Sequence, residues 1–391
     1  MISLEDFLEQ KTLYYDKIDY DAISNSWDIL KDNIKMPYVI HIVGTNGKGT
    51  TGRFLSSFLH QQNKKVLHYT SPHIIKFNER IWIDGKDSDN NQLQEAHSKL
   101  QKILTSNLLE KLTYFEYTTL LAIYISSNFD YLVLEAGLGG EFDATNVVEN
   151  DLSIFTTIGL DHQNFLGNSL EDIASTKMRS CDNSYILGEQ ISSLNLNSTK
   201  EVLKNKNRIE LDNNLKLNQD ISKLAPYLKS NLNLALSVLK YLNLFSSDLK
   251  IDKLSGRFEY LKSNIIIDVG HNPLAASVIL ETLQKENKKV ILIYNSYADK
   301  DYKEVLTILK PIIKHIEIIE CNDNRIVDKN ILENTIDSLE IKREEFDIRN
   351  LKDNLNYLIF GSFLVVESFL NSYKVQTIPH VATSTQSPLN S

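Results

Sequence analysis

Apolar positions along this chain come in two recurring textures. Short, almost unbroken apolar runs end in glycine or a polar residue, and longer stretches repeat their apolar positions every three to four residues. "PYVIHIV" runs into Gly44, and "TTGRFLSSFLHQQNK" follows with Phe54, Leu55, Phe58 and Leu59 on one helical face. "KKVLHYT", "YLVLEAG" and "LSIFTTIG" read as further strands, with "LTYFEYTTLLAIYISS" as a buried helix among them. Runs apolar on both faces, alternating with helices, predict a mostly parallel sheet covered on both sides. Ligands in such sheets sit beyond the carboxyl ends of the strands.

From about Asp182 to Lys223 the text turns rich in Asn, Ser and Lys, and the periodicity fades. "NLNLALSVLKYLNLF" predicts a helix, and "SSDLKIDKLSGRF" is polar enough to hold a domain boundary. A second α/β series follows: strand "NIIIDVG", helix "PLAASVILETLQKE", strand "KKVILIYNS", helix "YKEVLTILKPI", strands "HIEIIEC" and "NYLIFGS", and helix "FLVVESFLNSY". The sequence thus predicts a domain over 1–245, a smaller α/β domain over 252–373, and a disordered tail over 374–391.

Composition narrows the classes. At 391 residues, two domains are the natural expectation. A net charge of -9 argues against a broad nucleic-acid surface, which needs clustered Lys and Arg, but leaves room for a small basic pocket. Two cysteines without a spacing motif suit a reducing compartment. "MISLEDFLEQ" lacks a secretion signal, and "YTTLLAIYISS" is shorter than the roughly 20 apolar residues a membrane span needs. The expectation is a soluble, cytoplasmic protein.

Candidate chemistry gathers at the predicted strand ends. In "HIVGTNGKGTT" only Thr45 and Asn46 separate Gly44 from Gly47-Lys48, so the spacing is not GxxxxGK[ST]. A strand, a glycine-rich turn and a helix start would still aim backbone N–H groups at an anion, with Lys48 as a point charge. A plain tight turn is the competing reading. Glu135, ending a buried strand, is the hard oxygen ligand that Mg²⁺ beside phosphate requires, or else a turn cap. Asp143 and Asn146 read as turn formers. His162, after Asp161, is a metal ligand or a structural hydrogen-bonding group. Ser71 ends a strand and could bind metal or phosphate, while His73, Glu79 and Arg80 read as loop-packing polar residues. Lys177, on the helix "SLEDIASTK", reads as an exposed lysine on a polar face. Arg257 could pair with phosphate, and Asp268, near His271, could accept from a ribose hydroxyl.

Taken in order, "HIVGTNGKGTT", "YTSPHIIKFNERI", "LTYFEYTTL", "LEAGLGGEFDATN", "TTIGLDHQNFLG", "GRF", "DVGHNPLAA", "ADKD" and "FGSF" resemble the folylpolyglutamate synthase/dihydrofolate synthase family, a branch of the Mur-ligase superfamily. These pieces run from about residue 38 to residue 363. The resemblance implies a P-loop-type, mostly parallel N-terminal domain of the central Mur-ligase kind and a smaller Rossmann-like C-terminal domain. It implies an ATP-dependent amide ligase that adds L-glutamate to a folate, to dihydropteroate, or to both, through an acyl phosphate. Thr45, Asn46, Gly47, Lys48, Gly49 and Thr50 would hold the phosphates of ATP. Ser71 and Glu135 would hold one Mg²⁺, and His162 with Glu135 a second. Lys177 falls where the family carries a carbamylated lysine, although "TKMRS" departs from the family's usual wording there. Asn231, Arg257, Asp268 and His271 would lie at the ATP. The implied partners are small molecules, with no nucleic acid and no membrane, and the implied state is a monomer. Two other readings compete: a Mur-like ligase joining an amino acid to a cell-wall precursor, and a non-catalytic relative binding ATP or folate. "TSPH…NERI" and "DATN" oppose the first, and the retention of Lys48, Glu135 and His162 opposes the second.

Overall fold

A computed structural model describes residues 2–12, 20–195, 199–252 and 254–377. The chain divides into two compact units, Met1–Ser255 and Gly256–Ser391.

In the first unit the strands are β1 (Tyr38–Val43), β2 (Val66–Tyr69), β3 (Ile81–Ile83), β4 (Lys86–Asp87), β5 (Tyr131–Glu135), β6 (Leu152–Phe155), β7 (Ser184–Leu187) and β8 (Asn207–Ile209). Its helices are α1 (Leu4–Glu9), α2 (Tyr20–Leu30), α3 (Lys48–Gln61), α4 (Asn90–Ile103), α5 (Ser106–Lys111), α6 (Tyr114–Ile125), α7 (Gln163–Leu166), α8 (Leu170–Met178) and α9 (Pro226–Tyr241). One sheet of order β4-β3-β2-β5-β1-β6-β7-β8 carries the unit. It is parallel from β2 to β8, with β3 and β4 antiparallel at one edge.

The unbroken apolar run of β1 reflects its place at the centre, paired with β5 and β6. Its side chains alternate between two cores. Ile40 and Ile42 pack with Phe54, Phe58 and Leu236 of α3 and α9. Val39 packs with Leu120 and Leu121 of α6 and Leu100 of α4. Each fully buried aliphatic side chain contributes roughly 1.5–3 kcal/mol, so register here is strongly set. A capping box starts α6: the Thr113 hydroxyl accepts from Glu116 N (3.2 Å), and Glu116 accepts from Thr113 N (2.9 Å). Within the stretch of faded periodicity, "SYIL" forms β7 and "NRI" forms β8, two strands the pattern did not predict. The residues after 245 pack with this unit, with Leu249 buried in the α3/α9 core.

In the second unit the elements are β9 (Glu259–Lys262), β10 (Ile265–Ile267), α10 (Pro273–Lys285), β11 (Val290–Tyr294), α11 (Tyr302–Leu309), β12 (Ile313–Ile318), α12 (Lys329–Ser338), β13 (Arg343–Glu345), β14 (Tyr357–Phe360) and α13 (Phe363–Thr377). The sheet order is β13-β12-β11-β14-β10-β9, with only β9 antiparallel among these strands. The expected tail is corrected at its start, because α13 carries helix through Thr377. The rest of that tail, 378–391, lies outside the described residues.

Candidate active site

The loop after β1 is tied to the loop after β6. Thr45 N and Asn46 N both donate to Thr157 O, at 2.9 and 3.2 Å. The Thr45 hydroxyl donates to Gly159 O and accepts from Gly159 N, each at 3.0 Å. Gly47 enters α3 with φ +90, in the left-handed region that favours glycine, and a Cβ there would stand 2.5 Å from Asn231 Oδ1 of α9. The turn is therefore shaped for glycine twice over, by its dihedral and by the asparagine against it. Its α3 end presents the N-terminal amides and positive dipole end that suit an anion.

Two ammonium groups converge on one oxygen of this loop. Lys48 Nζ donates to Gly44 O at 3.1 Å and to Thr45 O at 3.3 Å, and Lys177 Nζ donates to the same Gly44 O at 3.0 Å. Lys177 is not the exposed lysine its helix pattern suggests, since only 4% of it is accessible. Burial, and then the charge of Lys48, push its ammonium down to about 7, while Asp143 and Asp161 oppose the shift. A backbone contact seals it in: a Cβ on Gly140 would lie 2.6 Å from Lys177 O.

Asp143 is more than a turn former. It is buried, with Oδ2 accepting from Leu138 N at 2.6 Å and Oδ1 from Thr145 N at 2.9 Å and the Thr145 hydroxyl at 2.5 Å. Burial raises its carboxyl, and these hydrogen bonds and Lys48 work against that rise. The Thr145 hydroxyl, committed to Asp143, accepts in turn from His41 Nε2 of β1 at 2.8 Å. Neither His41 nor the charge role of Asp143 was read from the sequence. A histidine within an otherwise apolar central strand was the available signal.

Glu135 closes β5 and is 5% exposed. Its Oε2 accepts from the Thr70 hydroxyl and, at 3.4 Å, from Ser71 N. The structure thus brings Ser71 and Glu135 together at the ends of β2 and β5. Mg²⁺ commonly takes one or two carboxylates and completes its octahedron from phosphate and water. Among the described residues no three His, Cys, Asp or Glu side chains group into a metal cage. A single strand-end carboxylate, with Ser71 next to it in space, suits an ion that takes most of its oxygens from elsewhere. His162 precedes α7 with φ 52, its N–H on Asp161 Oδ1 at 2.9 Å and its Nε2 3.8 Å from that oxygen.

In the second unit, Asp268 follows β10 and is held by Phe258 N on Oδ2 (2.9 Å) and Gly270 N on Oδ1 (2.8 Å). His271 Nδ1 faces Val269 O at 3.3 Å, and the Arg257 guanidinium stands 5.1 Å from the Phe363 ring centre. Asn272 caps α10 by accepting from Ala275 N at 2.9 Å, with Pro273 in the first turn.

A short glycine-rich loop, a buried lysine facing it and a strand-end carboxylate stand together on this parallel sheet, and residues 42–221, which hold all three, match the Mur ligase middle domain, the middle domain of a class of ligases. The chain is 32% identical over 325 residues to the dihydrofolate synthase/folylpolyglutamate synthase of Haemophilus influenzae, covering 71% of this chain and 73% of that one. It is 31% identical to the Escherichia coli protein of the same name, over 71% of each. Among solved structures, Helicobacter pylori folylpolyglutamate synthetase is similar with a TM-score of 0.73 at 39% identity, over 95% of this chain and 98% of that one. E. coli FolC in complex with DHPP and ADP gives a TM-score of 0.79 at 25% identity, over 95% and 97%. The chain belongs to the folylpolyglutamate synthase/dihydrofolate synthase family and is an ATP-dependent ligase. No helix among the described residues is long and apolar enough to cross a membrane.

Proposed function

We propose that this chain joins L-glutamate to a folate, to dihydropteroate, or to both. The γ-phosphate of ATP passes to the carboxylate of the acid, giving an acyl phosphate. The amine of glutamate attacks the acyl carbon, the amide forms, and phosphate leaves. The convergence of Lys48 and Lys177 on Gly44 O, within a loop built for an anion, carries this reading. Phosphoryl transfer asks the protein mainly for positioning and charge neutralisation, and these residues supply both.

In this reading Thr45 to Thr50 cradle the phosphates with Lys48 on the outer ones, and Asn231 orders the loop at Gly47. Ser71 and Glu135 hold one Mg²⁺, and Glu135 with His162 a second. Bound there, the ions supply positive charge to the phosphate oxygens. Arg257, Asp268 and His271 are the second unit's nucleotide-contacting set. Lys177, with its ammonium lowered to about 7 by burial, presents enough neutral amine to attack CO₂. A nitrogen–carbon bond forms and a proton leaves, so an anionic carbamate replaces a cation beside Lys48 and relieves the like-charge repulsion.

The test is direct. Purified protein with Mg-ATP and L-glutamate receives dihydropteroate or tetrahydrofolate, and phosphate release and product mass are followed. One glutamate added per phosphate is expected, with Lys48→Ala and Glu135→Ala folded and inactive. Phosphate release without glutamate addition to either acid would sink the ligase reading for these substrates.

A further inference from the structure

Glu79 and Arg80 are adjacent in sequence but are used differently. Glu79 accepts three backbone N–H groups, from Ile74 at 2.7 Å, Ile75 at 2.9 Å and Lys76 at 2.8 Å. It closes the loop between β2 and β3 on itself and is spent there. Arg80 donates from Nε to His73 Nδ1 at 2.7 Å, and its guanidinium carbon stands 5.1 Å from the centre of the Tyr114 ring. Among the described residues it forms no ion pair and no other side-chain hydrogen bond. A guanidinium carries five N–H donors, so the four on its terminal nitrogens have no protein acceptor among those residues. Arginine Nε–H can only donate, so His73 Nδ1 is the acceptor and Nε2 carries the proton. That N–H is a further donor.

The position of this cluster matters. Thr70 N donates to Arg80 O at 2.9 Å, while the Thr70 hydroxyl donates to Glu135. Tyr114 opens α6, and its neighbour Phe115 packs against Gly137 in the loop after β5. Arg80, His73 and Tyr114 are each half-buried. The backbone of Arg80 is thus tied at the end of β2 to Thr70, whose hydroxyl holds the Glu135 carboxylate, and its guanidinium lies against Tyr114 at the start of α6.

We propose that Arg80, together with the Nε2–H of His73, receives a carboxylate of the acid substrate, with the Tyr114 ring holding the guanidinium plane in place. The proposal rests on the ligase reading above. A planar fork of paired donors matches a carboxylate in a two-pronged fashion. The phosphates already have the glycine loop and Lys48. A pteroate-type acid offers one carboxylate, the reacting one, whereas a folate offers that and a second.

The experiment measures steady-state KM for dihydropteroate, tetrahydrofolate, ATP and L-glutamate in wild-type protein, Arg80→Gln, Arg80→Lys and Arg80→Ala. Losing a charge-assisted pair should raise the acid KM about 10- to 100-fold, with the ATP KM held within about twofold. Arg80→Lys keeps the charge but loses the fork, so it recovers only part of the loss and carries the test should Arg80→Gln not fold. Added guanidinium ion should restore part of the acid affinity in Arg80→Ala. A rise for both acids assigns Arg80 to the reacting carboxylate, and a rise for the folate alone assigns it to the second. Unchanged acid KM in the variants of an active protein overturns the proposal, as does a rise confined to ATP or L-glutamate. Wild-type protein inactive with both acids overturns the assignment of these substrates, and this proposal with it.

Discussion

Replacing Lys177 with methionine tests the electrostatics of the site, since methionine is unbranched, uncharged and one heavy atom shorter. Burial and Lys48 hold the Lys177 ammonium at about 7, against an ordinary 10.5. The unfolded chain keeps this proton up to about pH 10, while the folded chain sheds it near neutrality. The folded state is therefore penalised most below pH 7, and its stability rises with pH from 7 towards 10.5. At about 1.4 kcal/mol per pH unit, the full penalty is on the order of 4–5 kcal/mol. Lys177→Met removes it and loses the hydrogen bond to Gly44 O, worth about 1 kcal/mol. The variant should be more stable than wild type by about 3 kcal/mol at pH 6.5, and the gap should close as pH approaches 10. Urea unfolding in CO₂-free buffer at pH 6.5, 8 and 9.5 measures this. The chain's two tryptophans, Trp27 and Trp82, both lie in the first unit, so their fluorescence reports on the unit that holds Lys177. A stability difference constant across this range to within about 0.5 kcal/mol would refute the argument. Turnover should be lost in the same variant. In bicarbonate, wild-type protein should gain the mass of one CO₂ and Lys177→Met should not.

Two other substitutions probe the loops. Gly47→Ala forces a side chain into a left-handed turn at about 1–2 kcal/mol and drives its Cβ onto Asn231 Oδ1. The ATP KM should rise at least about tenfold, and an unchanged value would show that the loop needs neither its dihedral nor its clearance. Glu79→Gln cannot match a charged acceptor of three amides, a loss of about 1.5–3 kcal/mol. Amide hydrogen exchange at Ile74, Ile75 and Lys76 should speed up, and unaltered protection would mean that the loop is held by other contacts.

The central strands were legible because β1 and β5 are buried on both faces, and burial leaves an unbroken apolar run in the text. At the edges that signal disappears. "NRI" of β8 buries only Ile209 and "KD" of β4 buries neither residue, so side-chain burial leaves almost no mark on the text there. The phosphate loop was visible as glycines around one lysine, but its glycines alone could not separate an anion site from a tight turn. The structure adds what the spacing lacked: the α3 amides at its end, Asn231 against Gly47, and Lys177 meeting Gly44 O, and the anion site proposed above rests on these. Lys177 itself misled, because "SLEDIASTKM" gives a polar helix whose lysine is covered by a distant glycine's backbone.

What the sequence by itself determined is the alternation of strands and helices, the order of the loops at the strand ends, and the residue types those loops carry. These follow from local rules: apolar period, glycine dihedrals, and helix caps such as Thr113 with Glu116. What only the tertiary structure decided is which charges face one another. Asp143 lies near two lysines, Glu79 is consumed by its own loop, and Arg80, held by His73 and Tyr114, keeps its terminal donors without an acceptor among the described residues. Charge–charge energies depend on distance and burial across the whole fold, and neither is written in the spacing of a single segment.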